Sequence, residues 1–153
     1  MPKHQPDSVR RESGDGVLGA YEALLFSDSG GLTQFGAFVE ILAPGARSSH
    51  VHWHEDEDEM VYMLEGSVVL VEGEDEVPLE VGEAATFPAG QALGHRLENR
   101  SDSPARYLVI GTRAPRDRVH YPGEDRVLHV ERSGGGARRW TTESGAPAEP
   151  LPK

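Results

Sequence analysis

His50-Val51-His52-Trp53-His54, followed by Glu55-Asp56-Glu57-Asp58-Glu59, places three imidazoles within five residues and a carboxylate five residues after the last of them. In an extended chain successive side chains point to opposite faces. Histidines 50, 52 and 54 therefore share one face, and Val51 and Trp53 the other. Glu59 opens the next apolar run, Met60–Leu64, so an adjacent strand can bring its carboxylate to the imidazole face. Several imidazoles and a carboxylate turned toward an interior are expensive unless a metal or hydrogen bonds satisfy them. Imidazole plus carboxylate suits a divalent transition ion such as iron, manganese, nickel, zinc or copper.

Outward from this stretch the chain reads as short apolar or alternating runs broken by turns. Leu18–Phe26, Thr33–Leu42, Val68–Val71, Val77–Val81, Ala84–Phe87, Ala92–Leu97 and Arg106–Gly111 are expected strands. Pro44-Gly45, Glu65-Gly66-Ser67, Gly73-Glu74-Asp75 and Pro88-Ala89-Gly90 are expected turns. No window carries the 3.6-residue period of a sizeable helix. Strands of this length at intervals near ten residues indicate an all-β sandwich or barrel. Three segments are expected: a loose polar arm over 1–16, the β-domain over 17–113, and a tail over 114–153. The tail is rich in Pro, Gly and Arg and carries one apolar piece, Val127–Val130. It is expected to pack on the barrel, extend its edge or meet a dimer partner, with a frayed end from Ala146.

Composition bounds the function. The 153 residues suffice for one domain with a core. The absence of cysteine excludes disulfides, thiolate-ligated metals and a thiol nucleophile. Acidic residues outnumber basic ones 26 to 15, and the net charge of −11 opposes binding to phosphate backbones, so nucleic acid is not an expected partner. Lys3 and Lys153 are the only lysines, which leaves almost no candidate for a Schiff base. There is no apolar run long enough to span a membrane and no signal-like N-terminal segment, so a cytoplasmic location is expected. Neither a phosphate-binding Gly-rich loop nor a nucleophile elbow occurs.

The arrangement resembles the cupin superfamily. One block reads Gly45…His52-Trp53-His54…Glu59…Gly66, its lead from Gly45 one residue longer than the usual form. The second reads Gly82…Pro88-Ala89-Gly90…His95…Asn99. In the family a histidine stands three positions after the glycine of the Pro-Ala-Gly turn. Here Leu93 occupies that place, while the His95-to-Asn99 spacing is kept. The resemblance, over roughly residues 20–112, implies a double-stranded β-helix (jelly-roll) barrel and a divalent metal (iron, manganese, nickel or zinc) held by His52, His54, Glu59 and His95. It also implies a homodimer. Three neutral histidines and one carboxylate leave two positions open on a six-coordinate ion, which allows chemistry.

The expected activity is isomerase-, epimerase- or dioxygenase-type chemistry on a small oxygenated molecule. The alternative is a small-molecule binding or sensing module without catalysis. His50 and Tyr107 are the candidate acid–base groups; whether Tyr107 or its neighbours Arg106 and Leu108 face inward is open. Trp53 is expected to pack away from the histidines. Phe38 and Glu40 share a face, and an inward Glu40 would need a partner.

Overall fold

The computed structural model describes residues 2–153. Among these residues thirteen strands form: β1 (Arg10–Gly16), β2 (Gly19–Leu25), β3 (Phe35–Leu42), β4 (Trp53–His54), β5 (Glu59–Glu65), β6 (Val68–Glu72), β7 (Asp75–Leu79), β8 (Ala84–Phe87), β9 (His95–Glu98), β10 (Ala105–Thr112), β11 (Arg116–Tyr121), β12 (Arg126–Glu131) and β13 (Ala137–Thr141). The only α-helix among the described residues is the single turn Phe26–Ser29. Among the described residues no helix is long and apolar enough to cross a membrane.

All pairings are antiparallel. One sheet has the order β1-β2-β3-β10-β5-β8. Opposite it lie β13-β12-β11-β4 and β7-β6-β9, which an isolated bridge between His52 and His95 joins into one curved wall. This is the jelly-roll barrel. Its core fills from alternate positions: Leu42 of β3, Val61 and Met63 of β5, Phe87 of β8, Leu97 of β9, and Tyr107 and Val109 of β10. A second cluster, Val9, Leu24, Val39 and Leu108, lies on the other face of the large sheet, so β10 is apolar on both sides. A third, Val119, Leu128 and Val130 with Tyr121 and Trp140, lines the inner face of the C-terminal sheet.

Residues 10–16 and the end of the tail depart from expectation. Residues 10–16 are not a loose arm but β1, paired with β2 along its whole length. This strand is almost entirely exposed, so backbone pairing rather than apolar alternation makes it. The tail supplies β11, β12 and β13, and β11 pairs with β4 beside the histidines. Its last residues are tied down rather than frayed. Ala148 N–H donates to Trp140 O, His50 Nε2 meets Pro152 O at 2.6 Å, and Val17 N–H donates to Lys153 O at 3.1 Å. Gly16 accommodates this last approach, because a Cβ there would lie 1.8 Å from Lys153 O. At Gly66 both conditions for glycine hold: φ is +71°, and a Cβ would stand 2.7 Å from Pro104 O.

Asn99 fixes the turn behind β9. Fully buried, its Nδ2 donates to Leu42 O and Ser103 O, and its Oδ1 accepts from the backbone and hydroxyl of Ser101. Asn99→Ala leaves these buried groups unmatched. It is expected to cost about 2–4 kcal/mol in urea unfolding.

Candidate metal centre

His52 precedes β4 and His54 ends it, so the two histidines of the alternating stretch reach the same side. His52, His54 and Glu59 each offer a ligand atom within 4.8 Å of the others. His54 Nε2 lies 3.8 Å from Glu59 Oε2. His95 opens β9 opposite His52, with ring centroids 4.7 Å apart, and its Nε2 lies 3.4 Å from Glu59 Oε1. The structure thus clusters His52, His54 and Glu59, with His95 beside Glu59 and His52. Leu93 falls outside β9 and is partly exposed, which explains why the spacing points to His95.

Each imidazole is held by its other face. His52 Nδ1 is 2.9 Å from His50 O and 3.1 Å from Ser49 Oγ. His54 Nδ1 is 2.6 Å from Asp117 Oδ2. The His95 ring stacks on Phe87, 3.5 Å between centroids and 5° between planes. In His52 and His54 the Nε2 atoms are left facing the cluster. His95 Nε2 is buried without a hydrogen-bond partner. An orphaned imidazole nitrogen beside a carboxylate and two further imidazoles is the donor set a divalent ion satisfies.

The electrostatics agree. Burial, reinforced by the neighbouring histidines against the pull of Glu59, lowers His52 to about 4, so it is a neutral ligand at physiological pH. Burial opposes charge on Glu59 too, but the His95, His52 and His54 imidazoles outweigh it and lower its carboxyl. For His54, burial is overcome by the Asp117 hydrogen bond and the carboxylates of Glu59, Asp117 and Glu57, and its pKa rises. Asp117 is the residue that sequence reading missed. It is buried, holds Asp56 N–H through its second oxygen, and orients His54. Asp117→Asn is expected to weaken metal affinity about ten-fold or more, measured by competition with a chelating dye.

A chamber of about 170 Å³ beside the cluster is walled by Glu40, Tyr107, Val61 and Phe87. Tyr107 therefore faces inward, and its hydroxyl donates to Glu40 Oε1. Burial raises the Glu40 carboxyl to about 7; the Tyr107 hydrogen bond and Lys153 oppose the rise and Glu59 adds to it. Burial and the Glu40 charge hold the Tyr107 phenol protonated, well above its ordinary range. The raised carboxyl links pH to stability. In the unfolded chain Glu40 titrates near 4.5, and in the folded metal-free protein near 7. Its contribution is fully present below pH 4.5 and is lost as pH rises through 7. Glu40→Gln should abolish that loss, up to about 3 kcal/mol between pH 4 and pH 8, in urea unfolding of chelator-treated protein.

The chamber opens into a larger cavity of about 400 Å³ under the C-terminal sheet, with which it shares Phe38, Glu40 and His52. His50 lines this outer cavity, where its Nε2 is engaged by Pro152 O. Trp53 faces away and stacks on His120, 4.3 Å between ring centroids. A separate groove of about 730 Å³ at Asp28, Arg113 and Arg132 offers no ligand set, and its arginines are already paired with Asp28 and Glu57.

Comparison with known proteins agrees with this geometry. Residues 38–111 match the Cupin domain model. The chain is 42% identical over 100 residues to the tetracenomycin polyketide synthase protein TcmJ of Streptomyces glaucescens, covering 64% of this chain and 64% of that protein's length. It is 32% identical over 108 residues to Protein SchB of Streptomyces halstedii, covering 70% of this chain and 72% of that one. Among solved structures, a sugar phosphate isomerase of the cupin superfamily from Silicibacter pomeroyi superposes with a TM-score of 0.85 at 37% identity, covering 97% of both chains. With this coverage and the jelly-roll barrel, the chain belongs to the cupin superfamily.

Proposed function

We propose that the protein is a metal-dependent enzyme that moves a proton on an oxygenated small molecule, as an isomerase or epimerase does. The observation that carries this reading is the pairing of two devices in one chamber. One is the cluster of His52, His54 and Glu59, with the buried orphan nitrogen of His95 3.4 Å from the Glu59 carboxylate as a fourth donor. The other is a buried carboxyl–phenol pair, Glu40 and Tyr107, beside it. A divalent ion held by the four donors would polarise a carbonyl or hydroxyl oxygen of the substrate.

The remaining roles fall to the chain. Glu40, held by the Tyr107 hydroxyl beside the donor set, is placed to accept a proton from carbon. Tyr107 holds Glu40 in place and remains a proton donor throughout. Asp117 fixes the His54 ring. The walls of Val61 and Phe87 keep the chamber apolar, which strengthens each polar contact inside. His50, committed to Pro152 O, has no proton-transfer role in this reading. The isomerase name of the Silicibacter pomeroyi protein is in keeping with such chemistry.

The test is solvent deuterium wash-in. Protein reconstituted with manganese, nickel, zinc or ferrous iron is incubated in D₂O with a panel of hydroxy-ketones, aldoses and sugar phosphates, and exchange at carbon is followed by NMR. Metal-dependent exchange supports the reading. Oxygen consumption by the iron form, without exchange, would replace it with a dioxygenase. Neither activity with any metal would leave a binding module.

A further inference from the structure

His52 and His54 stand on a short support. Strand β4 is two residues long, and its ladder to β11 consists of Trp53 opposite His120 and His54 opposite Val119. On the other flank the backbone of His52 exchanges hydrogen bonds of 3.2 and 2.9 Å with His95. These ties set the path of the backbone, but so short a ladder constrains its roll about its own axis only weakly. A metal site needs its ligands within about 0.5 Å and 10–20° of the working geometry, with their positions locked by packing. The roll must therefore be held by a side chain.

Trp53 supplies that hold. Alternation puts its side chain on the face opposite His52 and His54, so a roll of the segment moves all three together. The indole lies flat on the His120 ring, with 4.3 Å between centroids and 9° between planes. The two residues face each other in the ladder, so this is a cross-strand stack. Trp53 also borders a crevice of about 10 Å³ that His54 and His95 line as well. A shift of the indole is passed to the ligands rather than absorbed.

His120 is itself fixed. Its Nε2 stands 2.7 Å from Glu55 Oε1 and its Nδ1 3.4 Å from Glu143 Oε2. Glu55 directly follows His54, and its N–H donates to Arg118 O at 3.0 Å. Glu143 N–H donates to Asp125 Oδ1 at 3.0 Å. The imidazole is gripped at both edges while its face is turned to the indole. A phenyl ring would stack without the grip, and an amide would grip without the stack; histidine does both. His120 is not in the donor set and does not line the chamber or the outer cavity, so neither ligation nor substrate contact accounts for it.

We propose that His120 is a positioning residue for the metal centre. Held by Glu55 and Glu143, it presents a fixed plane to Trp53, and that plane sets the roll at which His52 and His54 offer their Nε2 atoms to the ion. The proposal rests on the reading of the cluster as a metal site and extends it to a residue on the outer face of the C-terminal sheet.

The test is a Co²⁺ titration of the full chain, read by the visible absorption of the ion, whose band positions and intensity report ligand geometry. His120→Ala is expected to weaken Co²⁺ about ten-fold and to change the bands of the bound form. His120→Phe restores the stacking face and is expected to bind within about three-fold of the unaltered chain. Trp53→Ala should match His120→Ala, and the double variant should be no weaker than the weaker single one, because both remove one contact. The control is His129→Ala. That imidazole lies on the same outer face, one strand further from β4, and its Nε2 is 2.9 Å from Thr141 Oγ1. Its loss should leave affinity and bands unchanged. Unchanged affinity and bands in His120→Ala, an equal loss in His129→Ala, a phenylalanine variant as weak as the alanine one, or additive losses at Trp53 and His120 would each overturn the proposal. If urea unfolding shows that His120→Ala does not fold, His120→Phe is compared with His120→Gln. Tighter binding by the phenylalanine variant is expected, and binding by the glutamine variant that is as tight or tighter overturns the proposal. Absence of Co²⁺ binding by the unaltered chain overturns the metal site and this proposal together. Binding that His52→Ala removes and His120→Ala leaves intact overturns this proposal alone.

Discussion

Tyr107→Phe is expected to slow metal-dependent deuterium wash-in by about 10²–10⁴-fold while leaving metal content unchanged. The phenol is 1% exposed and donates to Glu40, so its loss acts on the carboxyl as well as on the substrate. Without that hydrogen bond the cost of burying the Glu40 charge is less offset, and the carboxyl rises. Less carboxylate is then present at neutral pH, and the acid limb of the pH–rate profile moves upward. Glu40→Gln removes the acceptor itself and is expected to cost as much. Because the two side chains act as one unit, the double variant should be no slower than the slower single one. Wash-in within about three-fold of the unaltered protein in both single variants would remove the pair from the chemistry.

The second large effect concerns the donor set. Closed four-ligand structural zinc sites draw roughly 10–16 kcal/mol from metal binding, which sets the scale of one ligand at about 2.5–4 kcal/mol. His52→Ala should therefore weaken Zn²⁺ or Co²⁺ on the order of 10²–10³-fold. His52 shows this most cleanly, since burial already keeps it neutral and no proton must leave for the ion to bind. The same binding is folding free energy. At a free metal concentration 100 times Kd the unaltered protein should gain about 2.7 kcal/mol. In a domain of this size that raises Tm by roughly 5–10 °C. His52→Ala should show no such rise at the same concentration. An equal rise in both proteins would place the ion elsewhere.

Much of the barrel could be read from the chain because the alternation is clean where one face is buried. Thr33–Leu42 and Met60–Leu64 differ from β3 and β5 by at most two residues at either end. The i, i+2 spacing of His52 and His54 put both on one face without any knowledge of their partners. Tyr107 could not be oriented, because β10 is apolar on both sides: Leu108 packs with Val9, Leu24 and Val39, while Tyr107 and Val109 enter the core. Glu40 was visible as a carboxyl needing a partner, but the partner is 67 residues away. Asp117 gave no signal at all. In Arg116-Asp117-Arg118 it reads as a surface charge, and only the pairing of β11 with β4 turns it toward His54. β1 was missed for the complementary reason, since a strand exposed on both faces has no apolar rhythm to read.

The central claim is that His52, His54, Glu59 and His95 form one metal site. Its most direct test is elemental analysis of chelator-free protein after reconstitution, alongside His52→Ala and His95→Ala. The expected result is one equivalent of a divalent transition ion in the unaltered chain and its loss in both variants. No metal in the unaltered chain, or the same content in all three proteins, would contradict it.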